Sequence, residues 1–201
     1  MLFRSVDYQA YSWETSRIYL TTFESTVDEV TDGIQRLRNR GATRIHLVGH
    51  SMGGNIAIYY AVNNSDFNSI IGLAVAHNVH HPTLRYVVKW SVEKARALVE
   101  QGNDEPTEFV DWNVTDILAR TVKPSCYLSY FDHEGNANMT LNVKRISRPL
   151  NVLMIGGSND TTQQTTRMAV YNPMPKTDYS RWVQTEDDHD SVSINAYDTI
   201  V

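Results

Sequence analysis

The chain has 201 residues, 41 % of them hydrophobic and 20 % charged, a length that suits one globular domain and a composition able to build its core. The formal net charge of −5 argues against a nucleic-acid partner or an anionic membrane surface. No apolar run reaches membrane-spanning length, the opening Met1-Leu2-Phe3-Arg4-Ser5-Val6-Asp7 turns polar too early for a signal peptide, and the single cysteine, Cys126, excludes an intramolecular disulfide, so a cytoplasmic protein is expected.

Near the start, Val6, Tyr8 and Ala10 alternate with Asp7 and Gln9 as in a short strand, and residues 11–16 read as a loop. Thr21-Thr22-Phe23-Glu24 has capping-box spacing, and Phe23, Val27, Val30, Ile34 and Leu37 then form one apolar stripe. The helix is predicted to stop at Gly41, after a basic last turn of Arg36, Arg38 and Arg40, and to act as a crossover into the next strand. That strand is the aliphatic run Arg44-Ile45-His46-Leu47-Val48, followed by Gly49-His50-Ser51-Met52-Gly53-Gly54 and a helix over 55–62. A serine in so sharp a strand-to-helix turn is forced into a strained conformation that lifts its hydroxyl above the sheet edge. Gly49 and Gly53 are expected to avoid a clash across the turn, and Gly54 to let the helix pack closely.

The stretch Gly49-His50-Ser51-Met52-Gly53, in its strand and helix context, resembles the nucleophile motif of the α/β-hydrolase superfamily. The resemblance implies that Ser51 is the nucleophile and that the backbone N–H of Met52 is one oxyanion-hole donor. It also implies a three-layer α/β/α fold with a mostly parallel sheet, no cofactor and no metal.

Ser69-Ile70-Ile71-Gly72-Leu73-Ala74-Val75-Ala76 is the next buried strand, ending at His77-Asn78-Val79-His80-His81-Pro82, and strand ends are where open α/β sheets bind ligands. Three close histidines raise a zinc reading, but no acidic or thiol partner stands at ligand spacing and the H-E-x-x-H pattern is absent. A pocket wall for His77 and solvent for His80 and His81 is the preferred assignment. Between Pro82 and Pro149 the strand-helix rhythm breaks. Helices are read over 91–101, ended by Gly102, and over 113–120, with polar loops and the aromatic stretch Tyr127-Leu128-Ser129-Tyr130-Phe131 around them. An insertion here resembles the cap that many α/β-hydrolases carry. Tyr130 and Phe131, with Trp90, Trp112 and Met139, either line an acyl pocket or form the insertion's own core.

Pro149 to Asp160 resumes the pattern, an aliphatic strand running through Gly156-Gly157 to an aspartate. It resembles the family's acid loop and makes Asp160 the acid candidate, although a loop aspartate also commonly caps a helix. The strand at Trp182-Val183-Gln184 leads to Glu186-Asp187-Asp188-His189-Asp190, and His189, the last histidine, stands where the family places its base. The neighbouring carboxylates favour an imidazolium there unless Asp160 alone contacts the ring.

The expected division is therefore a core of residues 1–82 and 146–201, an incomplete α/β-hydrolase fold, and a helical cap over 83–145. The resemblance implies a serine hydrolase with the triad Ser51, Asp160 and His189, a small-molecule acyl substrate, and a pocket that includes His50, His77, Tyr130 and Phe131. It departs from the family before the elbow, where too few residues stand for the usual strands and no His-Gly pair marks the second oxyanion donor. Two consequences are expected: a nucleophile strand at an exposed sheet edge, open to homodimerisation, and an alternative reading as a truncated, catalytically silent relative or binding module.

Overall fold

A computed structural model describes residues 19–113 and 116–200. The short strand expected at Val6, Tyr8 and Ala10, and the loop over 11–16, lie outside these residues. In chain order the elements are α1 (Thr26–Asn39), β1 (His46–His50), α2 (Met52–Asn63), β2 (Ser69–Leu73), α3 (Pro82–Glu100), β3 (Thr107–Asn113), β4 (Asp116–Val122), α4 (Pro124–Phe131), α5 (Met139–Arg145), β5 (Val152–Gly157), α6 (Gln163–Thr166) continued by a π-turn (Arg167–Tyr171), β6 (Arg181–Thr185), α7 (Ser191–Asn195) and α8 (Tyr197–Ile200). The described residues divide into two compact units, 19–42 with 82–113 and 116–136, and 43–81 with 137–200.

The second unit is built on a four-stranded sheet of order β1-β2-β5-β6, every pairing parallel. β2 and β5 are almost wholly aliphatic, as strands covered on both faces must be. Leu73 and Ile155 pack on Val192 and Ala196 of the C-terminal segment, with Ile71, Leu153, Val183 and Ile200 around them. The opposite face carries Gly72 and Met154, and there Val75 wedges between Gly72 and Gly54 of α2. α2 lies against β1, β2 and α5, so the unit has the three layers expected of the sequence. β1 is an edge strand: among the described residues no strand pairs with its outer side, and Val48 is 49 % exposed.

In the first unit α3 packs on α4 and β3. Its core is aromatic: Tyr127 stacks between Phe109 and Phe131 with ring centroids 4.5 Å away on each side, and Tyr19 meets Tyr130 at 4.6 Å. The aromatic stretch at Tyr127–Phe131 is helical, in α4, with Pro124 at its first turn, where the missing N–H is not needed. α3 starts at Pro82, well before the predicted 91. α1 belongs to this unit rather than to the sheet unit it was expected to feed. It also starts later than the capping-box spacing suggests, because Ser25 turns back on Thr22 and the Glu24 carboxylate accepts from Asn136 instead of capping the helix.

The helix predicted over 113–120 is not formed, and the segment 83–145 is mixed rather than helical. β3 and β4 make an antiparallel pair running from Thr107 opposite Val122 to Asn113 opposite Asp116. The inward positions explain why this was hidden. Beside the buried Phe109 and Val122 they hold the charged Asp111, 3 % exposed, and Arg120, while Ile117 points outward at 65 % exposure, so the hydrophobic alternation is interrupted. The Asp111 carboxylate accepts from Arg120 Nε at 3.3 Å and from the Tyr19 hydroxyl at 3.4 Å. Removing one member of a buried pair leaves an uncompensated charge. Asp111→Ala should therefore cost about 3–5 kcal/mol of stability, while Asp111→Leu combined with Arg120→Met recovers most of it. Thermal and denaturant unfolding of both variants measure this.

Candidate active site

Ser51 sits between β1 and α2 with φ 53° and ψ −121°, in the left-handed half of backbone space that a β-carbon disfavours. Its N–H donates to the Leu73 carbonyl at 2.9 Å, and its carbonyl accepts from Gly54 at 3.1 Å and Ala76 at 3.2 Å. A β-carbon at Gly49 would overlap the Gly53 carbonyl group, and one at Gly54 would come within 2.5 Å of Val75. One at Gly53 would meet nothing within 4 Å, so the expected mutual clash is one-sided: Gly49 must lack a side chain because the Gly53 backbone crosses it. The Met52 N–H is the first of α2 and has no acceptor within the helix.

Asp160 follows β5 and His189 follows β6, so all three candidates stand beyond the C-terminal ends of parallel strands. The two loops are stitched together by their backbones. Ser158 N–H donates to the Thr185 carbonyl at 2.8 Å, Asn159 N–H to the Asp187 carbonyl at 3.1 Å, and Asn159 Nδ2 to the Glu186 carbonyl at 2.6 Å. This brings His189 Nε2 to 2.9 Å from Ser51 Oγ and His189 Nδ1 to 2.6 Å from Asp160 Oδ2.

The two carboxylate oxygens of Asp160 face different partners. Oδ1 caps the next turn, accepting from the Thr162 N–H at 2.9 Å and hydroxyl at 2.7 Å, while Oδ2 faces the imidazole. Burial pushes this carboxyl up, but the hydrogen bonds from His189 and Thr162 outweigh it and hold it below the usual carboxylate range. An ionised Oδ2 accepts a hydrogen bond from Nδ1–H, which holds the proton on Nδ1 and leaves Nε2 free to accept from the serine. Two of the other nearby carboxylates are occupied elsewhere: Asp188 accepts from the Ser191 hydroxyl and N–H at 2.6 and 2.8 Å, and Asp187 from Asn195 at 2.6 Å.

His50 is placed by its ring nitrogen, which donates to the His189 carbonyl at 2.8 Å, with the two rings 5.1 Å apart. Burial holds it below the ordinary imidazole value, so it is neutral with Nε2 protonated. His77 follows β2 at φ 63°, its carbonyl accepting from Asn55 at 3.1 Å. Tyr130 and Phe131 are buried in the aromatic core of the other unit. Among the described residues no three His, Cys, Asp or Glu side chains are grouped to hold a metal ion. Sequence reading missed Thr162 and Gln163 around Asp160; the signal available was their spacing, two and three residues after an aspartate that opens a helix.

Comparison with curated proteins found no match. Solved structures do resemble the chain. DcsB, in complex with its substrate analogue, aligns with a TM-score of 0.66 at 13 % identity, covering 91 % of this chain and 72 % of that one. The monoacylglycerol lipase of Paleococcus ferrophilus aligns at 0.62 with 14 % identity, covering 90 % and 74 %. A structure from the metagenome-derived lipolytic enzymes LipS and LipT aligns at 0.57 with 17 % identity, covering 93 % and 74 %. At these identities the likeness is one of fold. The family model described as serine aminopeptidase, S33, matches residues 11–190, and the chain belongs to that family, within the α/β-hydrolase superfamily.

Proposed function

We propose that the chain is a serine hydrolase that cleaves a carboxylic ester, thioester or amide through an acyl-enzyme. The observation that carries this reading is the hydrogen-bonded series Ser51 Oγ, His189 Nε2 and His189 Nδ1, Asp160 Oδ2, at 2.9 and 2.6 Å. In the proposed reaction Ser51 Oγ attacks the acyl carbonyl while His189 Nε2 takes its proton. The carbonyl π electrons move to oxygen, and the Met52 N–H stabilises that oxyanion. Collapse expels the alcohol, thiol or amine, which takes the proton from His189. Water, deprotonated by the same nitrogen, then attacks the acyl-serine, and collapse breaks the bond to Ser51 Oγ, which takes the proton back from His189 as the acid leaves. Asp160 keeps the imidazole in the required tautomer and stabilises its transient charge.

Membership of a family described as serine aminopeptidase and the likeness to lipolytic enzymes support a hydrolase of acyl substrates. Fold and triad serve esters, thioesters and amides alike. The competing reading, a silent relative, draws on the edge position of β1: among the described residues no strand stands beside it to carry a second oxyanion donor. One such donor is worth roughly 10²- to 10³-fold in rate.

A fluorophosphonate probe separates the two, since it bonds only to a serine activated by a base. Wild type should be labelled and Ser51→Ala should not; a folded wild type left unlabelled would establish the silent reading. Against a panel of nitrophenyl esters and aminoacyl amides, Ser51→Ala and His189→Ala should each lower kcat by on the order of 10⁴-fold or more, and the double variant by little more than either. Additive losses would mean that the two side chains do not act as a unit.

A further inference from the structure

Gln163, the first residue of α6, is 4 % exposed, and its amide is turned toward Asp160. Its Nε2 lies 2.9 Å from Asp160 Oδ2, 3.2 Å from the Val75 carbonyl and 3.0 Å from Thr162 Oγ1. The alternative amide orientation would aim an oxygen at the carboxylate and at the carbonyl, both acceptors, so the contacts themselves fix which end is nitrogen. The other end, Oε1, is buried without a hydrogen-bond partner. It fits only because residue 156 is glycine: a β-carbon there would stand 2.9 Å from Oε1 and 2.7 Å from the Trp182 ring.

For folding alone this is a poor choice of residue. A buried acceptor without a donor costs free energy, whereas an apolar side chain of similar shape would fill the space with nothing left unpaired. What glutamine adds is a second donor to the one carboxylate oxygen that also accepts the hydrogen bond from His189 Nδ1–H. A donor there favours the ionised form and fixes the rotation of the carboxylate, while Thr162 holds the other oxygen.

We propose that Gln163 is a positioning residue for Asp160, setting the direction from which the carboxylate meets His189. This rests on the reading of Ser51, His189 and Asp160 as the reacting group. Thr166 provides the internal control. Its hydroxyl donates to the same Val75 carbonyl at 3.0 Å, and no bond joins it to Asp160.

The test compares Gln163→Met and Thr166→Val in labelling rate with a fluorophosphonate, in kcat and KM on p-nitrophenyl butyrate, and in melting temperature. Gln163→Met should lower the labelling rate and kcat by about 10- to 100-fold, the range set by one hydrogen bond to a charged group, with KM unchanged and melting temperature equal or higher. Thr166→Val should melt lower and keep the wild-type kcat. In an Asp160→Asn background Gln163→Met should cost nothing further, because the carboxylate it serves is gone. Gln163→Leu replaces the methionine variant where that one does not fold. Wild-type rates in the Gln163 variants, equal losses in Thr166→Val, or an undiminished loss in the Asp160→Asn background would each overturn the inference alone. An unlabelled wild type would instead remove the hydrolase reading and this one with it.

Discussion

The close passage of the Gly53 backbone over the missing side chain of Gly49 is the contact on which the sheet unit turns. It allows the chain to leave β1 and enter α2 within one residue, and the strain of that reversal is concentrated at Ser51, φ 53°. A non-glycine residue held there costs on the order of 1–3 kcal/mol and persists only where its surroundings over-determine it. Those surroundings are the bonds from Ser51 N–H to β2 and from Gly54 and Ala76 to its carbonyl. With the backbone groups of the residue engaged, its hydroxyl lies 2.9 Å from His189 Nε2.

A second strained stretch stands beside the first. Ala74 and His77, directly after β2, have φ of 43° and 63°, again without being glycine. Four backbone groups along it have fixed partners: Ala74 N–H meets Ile155, Ala76 N–H meets Ser51, the Val75 carbonyl accepts from Gln163 and Thr166, and the His77 carbonyl from Asn55. Val75 fills the gap left by Gly54 and Gly72. The segment after β2 is thus a template against which the serine turn and the acid loop are both measured. A shift of Val75 would be felt at Ser51 through Ala76 and at Asp160 through Gln163.

How much of this could be read from the sequence follows from how local each signal is. The serine turn was legible because glycine spacing, an aliphatic strand and a helix all fall within twenty residues of each other along the chain. Asp160 and His189 were expected from their order and from following strands, and in the structure the His189 ring lies between Ser51 and Asp160. The β3–β4 pair was not, because an ion pair interrupts its inward face and an isoleucine stands on its outward one, which breaks the alternation that marks a half-buried strand. The capping box at Thr21 to Glu24 was misleading for a similar reason: Glu24 is engaged by Asn136, far along the chain. His50 looked like a pocket residue from its motif, and only the fold reveals that its ring reaches the His189 carbonyl.

The division of labour between backbone and side chains accounts for the polar groups that remain unsatisfied near the acid loop. The loops after β5 and β6 are tied largely by main-chain hydrogen bonds, and a β-carbon at Gly157 would strike the Asp187 carbonyl, so their approach is set before side-chain chemistry enters. With the loops held in this way, Thr162, Gln163 and His189 together present four donors to the Asp160 carboxylate. The burial that makes those bonds strong also strands their leftovers, and both Gln163 Oε1 and the indole N–H of Trp182 are buried without partners on either side of Gly156. A core optimised for stability would replace them with hydrocarbon. Of the two, Gln163 is bonded to Asp160 through the other end of the same amide, so its stranded oxygen accompanies a donor to the carboxylate.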